Sequence, residues 1–288
     1  MALDFSSVRM PKDVSSAIVE VNRKISGFGL NAFRNRELYE PSAHLLRSRG
    51  KLMRPSLVLL GAHVTYQKAS SFVDLAAAAE LLHISSLIHD DIIDKDSFRR
   101  GLKAVHVKFG VEPAILAGDA LIAKAIFDAS KYGEEVVCNI SNAAMDMCAG
   151  EALDFAFQKK GMVPRKSDYI KIAELKSASL IASCCNIAAV YKKDAIARNL
   201  YSFGRNIGIA FQMRDDILDG FESADIDSKS KRPNIVVTLM EHSSLKAEEA
   251  RERATELHNQ YIDKAISELG NFEFSDLLAS YADAVRIK

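Results

Sequence analysis

The chain has 288 residues, with 38 Lys+Arg balanced by 38 Asp+Glu and 48% apolar residues. Zero formal charge excludes a nucleic-acid binder that works through bulk electrostatics, a mode that needs a surplus of cations. Only 6 Pro and 14 Gly exclude collagen-like and Pro/Gly-rich disordered classes and, with the apolar content, predict a mostly helical globular chain.

In chain order, Ile18, Val21, Ile25 and Leu30 recur at helical spacing and predict a first helix. Leu57, Leu60 and Val64 predict a second, with Pro55 in its opening turn, where a missing N–H costs little. A long Ala-rich helix is predicted from Asp74 to Asp96, another from Gly118 to Ser130 opened by Gly-Asp, and a third from Glu135 to Phe157. Asp168 is placed as the N-cap of a helix over Tyr169 to Tyr191. Asn199 to Phe221 is helical again, polar Glu222 to Asn234 is the longest loop, and two or three shorter helices finish the chain. No stretch alternates as a repeated sheet strand would. The expectation is one all-α domain over residues 1–288.

Cys138, Cys148, Cys184 and Cys185 form no C-x-x-C pair and read as buried thiols in a reducing cytosol. The N-terminus has no apolar h-region, and Asp4 and Asp13 oppose an acid-poor transit peptide. No uninterrupted apolar run approaches the roughly 18 residues of a membrane span. A cytoplasmic protein without a membrane span is expected.

The chemistry lies in two D-D-x-x-D motifs, HDDIID at His89–Asp94 and RDDILD at Arg214–Asp219. On a helix the first and last Asp of each share one face, one turn apart. Asp90 pairs with Asp94 and Asp215 with Asp219, while Asp91 and Asp216 sit beside them. Three acids so spaced repel unless a cation is present. Oxygen ligands without a neighbouring Cys suit Mg²⁺, which keeps waters and is commonly shared with substrate phosphates. A phosphate or diphosphate substrate follows. Candidate cations for it are Lys51 and Arg54 in GKLMRP, Arg99 and Arg100 before Gly101, and Lys176 in the largely apolar AELKSASLIAS. His83 lies two turns before Asp90 on the same face. Each alone has a bland reading as a surface or core residue; the solvated-acid reading of the aspartates is opposed by their apolar flanks.

Together these blocks resemble the trans-isoprenyl diphosphate synthases, or polyprenyl synthetases. GKLMRP is similar to the family's GK-x-x-RP block, and LLHISSLIHDDIIDKDSFRRG to its first aspartate-rich region. GDALIAKA, GEALD at Gly150–Asp154, LKSASL and FQMRDDILD follow in the family's order. The resemblance implies a helical bundle of the isoprenoid synthase type around a deep central cavity, usually a homodimer. It implies that Asp90, Asp94 and Asp215 bind Mg²⁺ holding an allylic diphosphate, supported by Asp91, Asp216 and Asp219, with Asp154 at a metal-bound water. It further implies that Arg99 and Lys176 contact the allylic diphosphate, and that Lys51, Arg54, His83 and Arg100 hold isopentenyl diphosphate. Ser177, where the family usually has Thr, and Gln212 would face the reacting carbons. The expected reaction is head-to-tail condensation of the two diphosphates.

Two departures stand out. Leu52 replaces a frequent basic residue, and GFESADID lacks the Gly-Lys of the loop that commonly follows the second cluster, so Lys229 or Lys231 would compensate. In the family an aromatic residue four or five positions before the first Asp shortens the product. Here those positions are Ser86 and Ser85, with Leu82 a turn further, which implies geranylgeranyl diphosphate or a longer polyprenyl product. A terpene cyclase of the same fold and a non-catalytic subunit of a heteromeric synthase are the alternatives. The first usually replaces the second aspartate cluster, and the second typically degrades both.

Overall fold

The computed structural model describes residues 8–28, 33, 35–48, 50–222 and 233–287; Lys229 and Lys231 lie outside the described residues. The elements are α1 (Lys12–Ser26), α2 (Arg36–His44), α3 (Met53–Val64), α4 (Val73–Asp94), the two-residue strands β1 (Phe98–Arg99) and β2 (Leu102–Lys103), and α5 (Val105–Phe109). After them come α6 (Val111–Ala129), α7 (Glu134–Lys160), α8 (Lys166–Ala173), a π-helical turn (Glu174–Ala178), α9 (Ser179–Lys192) and α10 (Ala197–Glu222). Last are α11 (Ile235–Ser243), α12 (Ala247–Glu268) and α13 (Ser275–Asp283). Among the described residues the fold is all-α apart from one hairpin.

Contacts divide the chain into two compact units. The first is built on Pro11–Ser141 and Ile187–Asp194, the second on Asn142–Asn186 and Ala195–Lys288. In the first, α4 packs on α6, α3 and α1. α4 is apolar around its circumference, as a helix enclosed on all sides must be; Leu75, Ala76, Leu81, Ile84 and Ile88 are all buried. Burying each Leu or Ile contributes about 1.5–3 kcal/mol. In the second unit α10 packs on α12, α11, α8 and the π turn.

The structure corrects several predicted boundaries. Gly118 does not open a helix; it lies inside α6, where a Cβ would come within 2.2 Å of His89 Nε2. Asp168 sits in the first turn of α8 rather than at its cap, which is Arg165. The helix expected over Tyr169–Tyr191 is interrupted by the π turn. α2 carries an internal Pro41 that hides its period, and its N-cap is Asn35, whose side chain accepts the Leu38 N–H at 2.9 Å. The hairpin also escapes a search for strands, because its strands are two residues long.

Two helices bear on the membrane expectation without overturning it. Ala69–Asp94 and Lys166–Lys192 are long and apolar enough to cross a bilayer, with mean hydropathy 1.4 and 1.2. Counting unbroken apolar runs misses them, since Asp74, Glu80 and His83 interrupt the first and Lys171, Glu174 and Lys176 the second. In the fold 72% and 78% of those windows are buried, which accounts for their apolarity as that of core helices.

Candidate active site

The last turn of α4 carries the first aspartate cluster. Lys95 at φ 58° ends the helix directly after Asp94, and the Asp96 N–H closes back onto the Asp91 carbonyl at 3.0 Å. Asp90 and Asp94 are half-buried on one face. Asp91 is fully buried and turned to another: its Oδ1 accepts from Arg99 Nε at 2.6 Å, with Arg99 Nη2 2.5 Å away. Arg99 Nη2 also donates to Asp96 at 3.0 Å. Burial pushes the Asp91 carboxyl up in pKa, while Arg99 pulls it down. Asp91 therefore anchors Arg99, and the open face belongs to Asp90 and Asp94.

Arg99 and Arg100 reach this region through the hairpin. Phe98 pairs with Lys103 and Arg99 with Leu102, leaving Arg100 and Gly101 as a two-residue loop with φ of 53° and 77°. Positive φ at both positions is the signature of a type I′ turn. Gly101 adopts it without cost, whereas the left-handed conformation costs Arg100 about 1–2 kcal/mol. The strained arginine points its Nη2 at His83 Nε2, 3.3 Å away. An arginine only donates, so His83 accepts through Nε2 and carries its proton on Nδ1. Burial, with Arg54, Arg100 and Arg99 nearby, holds the His83 pKa well below the ordinary histidine value.

Under this cluster lies a residue that the sequence reading missed. Glu80 is 4% exposed, with Oε1 4.0 Å from Arg100 Nη2 and Arg54 in its field. Burial pushes its carboxyl up and the two arginines pull it down. Gly50 completes the packing: a Cβ there would stand 2.9 Å from Arg100 Nη1 and 3.2 Å from Glu80 Oε1. A lone acid in the apolar run LAAAAELLH, three residues before a histidine, is the signal that could have found it. Arg54 is half-buried and Lys51 exposed.

The second unit holds the other predicted residues. Asp154 is buried and Lys176 bridges two acids, Asp154 Oδ2 at 2.7 Å and Glu151 Oε2 at 2.6 Å. Gly150 permits this: its Cβ would lie 2.3 Å from the Lys176 backbone nitrogen. Lys176 and Ser177 occupy the π turn, a backbone irregularity frequent at functional sites. The Ser177 hydroxyl donates to Gln212 Oε1 at 2.5 Å, and Gln212 Nε2 donates to Asp216 Oδ1 at 2.9 Å. Asp216 also accepts from Tyr169 Oη at 2.7 Å and from the Ile235 N–H at 3.0 Å. Burial pushes its pKa up to about 7, against three hydrogen bonds that favour the carboxylate. Asp216 is thus turned into the protein, while Asp215 is half-buried. The Asp219 side chain lies outside the described residues.

Among the described residues no group of three or more His, Cys, Asp and Glu forms a closed metal cage. Mg²⁺ does not need one, because it is commonly held by one or two carboxylates with water and phosphate. The donor chemistry and its placement fit. Asp90, Asp91 and Asp94 stand at the negative end of the α4 dipole, with no basic residue in the last turn. α10 likewise has none in its last turn. A cation offsets both repulsions.

Of the predicted length-determining residues, Ser86 is half-buried on the Asp90 face, while Leu82 and Ser85 are buried. The Ser85 and Ser86 hydroxyls donate to the Leu82 and His83 carbonyls.

The polyprenyl synthetase family profile matches residues 35–266, and the chain belongs to that family. Geranylgeranyl diphosphate synthase of Methanosarcina mazei is 41% identical over 194 residues, 65% of this chain and 60% of that protein. Geranylfarnesyl diphosphate synthase of the same organism is 34% identical over 231 residues, covering 80% and 77%. The chain thus spans about 60% of the length of the first of these relatives. The geranylgeranyl pyrophosphate synthetase structure from the archaeon Geoglobus acetivorans superimposes with a TM-score of 0.85 at 28% identity, over 96% of this chain and 100% of that one.

Proposed function

We propose that residues 1–288 act as one polyprenyl synthetase domain, a trans-prenyltransferase that condenses isopentenyl diphosphate with an allylic diphosphate. The observation that carries this reading is the π turn, whose Lys176 is ion-paired with Asp154 and whose Ser177 is linked through Gln212 to Asp216, next to the half-buried Asp215. Asp90 and Asp94 in one cluster and Asp215 in the other would hold Mg²⁺, with Asp91, Asp216 and Asp219 in support and Asp154 near the metal's water. Bound Mg²⁺ withdraws charge from the leaving diphosphate.

The residues of the chain do the rest. Lys176, ion-paired with Glu151 and Asp154, and Arg99 bind the allylic diphosphate and stabilise its charge as the C–O bond ionises. The Ser177 proton is committed to Gln212, so the serine oxygen offers lone pairs to the allylic cation. Gln212 is held in one amide orientation by Ser177 and Asp216. Lys51, Arg54, His83 and Arg100 hold isopentenyl diphosphate, whose double bond attacks the cation; positioning supplies much of the rate. The departed diphosphate takes the final proton. Lys229 or Lys231, outside the described residues, would supply the lysine that GFESADID lacks.

The product is geranylgeranyl diphosphate or a longer polyprenyl diphosphate, in keeping with the names of the relatives and with the small Ser86. The enzyme works as a homodimer through the exposed apolar stripe of α6. Its free thiols suit the cytoplasm. The test is to incubate purified protein with isopentenyl diphosphate, an allylic diphosphate and Mg²⁺, then separate the products. Elongated linear diphosphates that vanish with EDTA are expected. Full turnover in EDTA would remove the metal assignment, a cyclised hydrocarbon would make the protein a cyclase, and no product would leave a non-catalytic subunit.

A further inference from the structure

We propose that Glu80 is a positioning residue whose buried carboxylate fixes the Arg100 guanidinium, with Arg54 beside it, in the geometry that receives the isopentenyl diphosphate. The proposal deepens the reading above and rests on it for the identity of that ligand. Three observations converge on Arg100. Its backbone sits in the left-handed region at φ 53°, so the hairpin presents it at a conformational cost. Its guanidinium packs against Gly50, where a Cβ would come within 2.9 Å of Nη1. Its Nη2 lies between His83 Nε2 at 3.3 Å and Glu80 Oε1 at 4.0 Å.

His83 contributes no charge, since it accepts the Arg100 proton as a neutral imidazole. Two guanidiniums gathered without a counter-ion repel and splay. Glu80, 4% exposed on the same helix three residues before His83, places its Oε1 4.0 Å from Arg100 Nη2 and lies in the field of the Arg54 charge.

The sign of its effect separates positioning from simple electrostatics. A negative charge beside an anion site weakens anion binding by direct repulsion, so neutralising it would tighten binding. A carboxylate that holds the arginines in place has the opposite effect: its removal loosens binding.

The experiment uses the intact protein with Glu80→Gln and Glu80→Asp. Calorimetry measures inorganic diphosphate binding in EDTA, and kinetics measure kcat and both Michaelis constants. For Glu80→Gln, diphosphate affinity falls and KM for isopentenyl diphosphate rises by about tenfold each, while kcat and KM for the allylic substrate stay within about twofold of wild type. Glu80→Asp, which keeps the charge, loses less. Unchanged or tighter diphosphate binding in Glu80→Gln overturns the proposal, as does an equal rise in both Michaelis constants together with a lowered Tm. Should Glu80→Gln not fold, Glu80→Asp decides: a rise confined to KM for isopentenyl diphosphate supports the role, and an unchanged value overturns it. A wild type that binds diphosphate without condensing substrates refutes the prenyltransferase reading, and the calorimetry still judges Glu80.

Discussion

Asp216 shows how one D-D-x-x-D motif divides its labour. Its neighbour Asp215 stays half-buried, while Asp216 gathers Tyr169, Gln212 and the N-terminal N–H of α11 around one carboxylate. Tyr169→Phe leaves that carboxylate one donor short in a buried place. Its expected cost is about 1–3 kcal/mol, read as a lower Tm, with kcat reduced because the Gln212 amide loses a constraint. His258 provides a pH test. Its Nδ1–H donates to the Ala210 carbonyl at 2.8 Å, and its Nε2 accepts the Ile287 N–H at 3.3 Å. Burial, chiefly, lowers its pKa from 6.5 to about 4. Between those values the unfolded chain binds more protons, so stability falls as pH drops from 6.5 toward 4. Thermal unfolding of wild type and His258→Gln across that window should show the shallower dependence in the variant; parallel curves would discount the role of His258.

At the scale of elements, close approaches at glycines set how neighbouring helices align their side chains. Gly208 and Gly204 of α10 lie against Ala178, Ala182 and Cys185, where added Cβ atoms would stand 2.4 Å from Ala178 Cα and 2.7 Å from Cys185 Sγ. This contact aligns Gln212, one turn beyond Gly208, with Ser177 in the π turn. In an exposed helix Gly→Ala stabilises by roughly 1 kcal/mol. Here Gly208→Ala should instead destabilise by about 1–3 kcal/mol and lower kcat by spreading Ser177 from Gln212. A stabilised, fully active Gly208→Ala would refute the packing argument. Gly118→Ala should behave similarly through His89, next to Asp90.

At the scale of the molecule, exposed apolar side chains need an explanation. Val111, Ile115, Leu116 and Phe127 lie exposed along α6, Phe127 at 64%, and a second copy of the chain would cover them. Leu116→Asp should yield monomers by sedimentation while wild type is a dimer. The two serines proposed to limit product length differ in helical phase and burial. Ser85 points about 140° around α4 from Asp90 and is buried, so Ser85→Phe overpacks the core and lowers Tm. Ser86 lies on the Asp90 face, and Ser86→Phe should shorten the major product by one isoprene unit or more; an unchanged distribution would place the floor elsewhere.

The sequence alone determined the helical class, the two aspartate clusters and the order of the basic blocks, because these are local: spacing on one helix fixes which carboxylates share a face. It could not reveal that Asp91 and Asp216 turn inward, since helical phase says nothing about what stands opposite. Arg99, Tyr169 and Ile235 are those partners, and each arrives from another element. Glu80 stayed hidden for the same reason, its meaning depending on a hairpin arginine twenty residues later. The π turn and the glycine contacts are likewise tertiary. A backbone leaves its regular path, and a missing Cβ matters, only where a neighbouring helix presses close enough to require it.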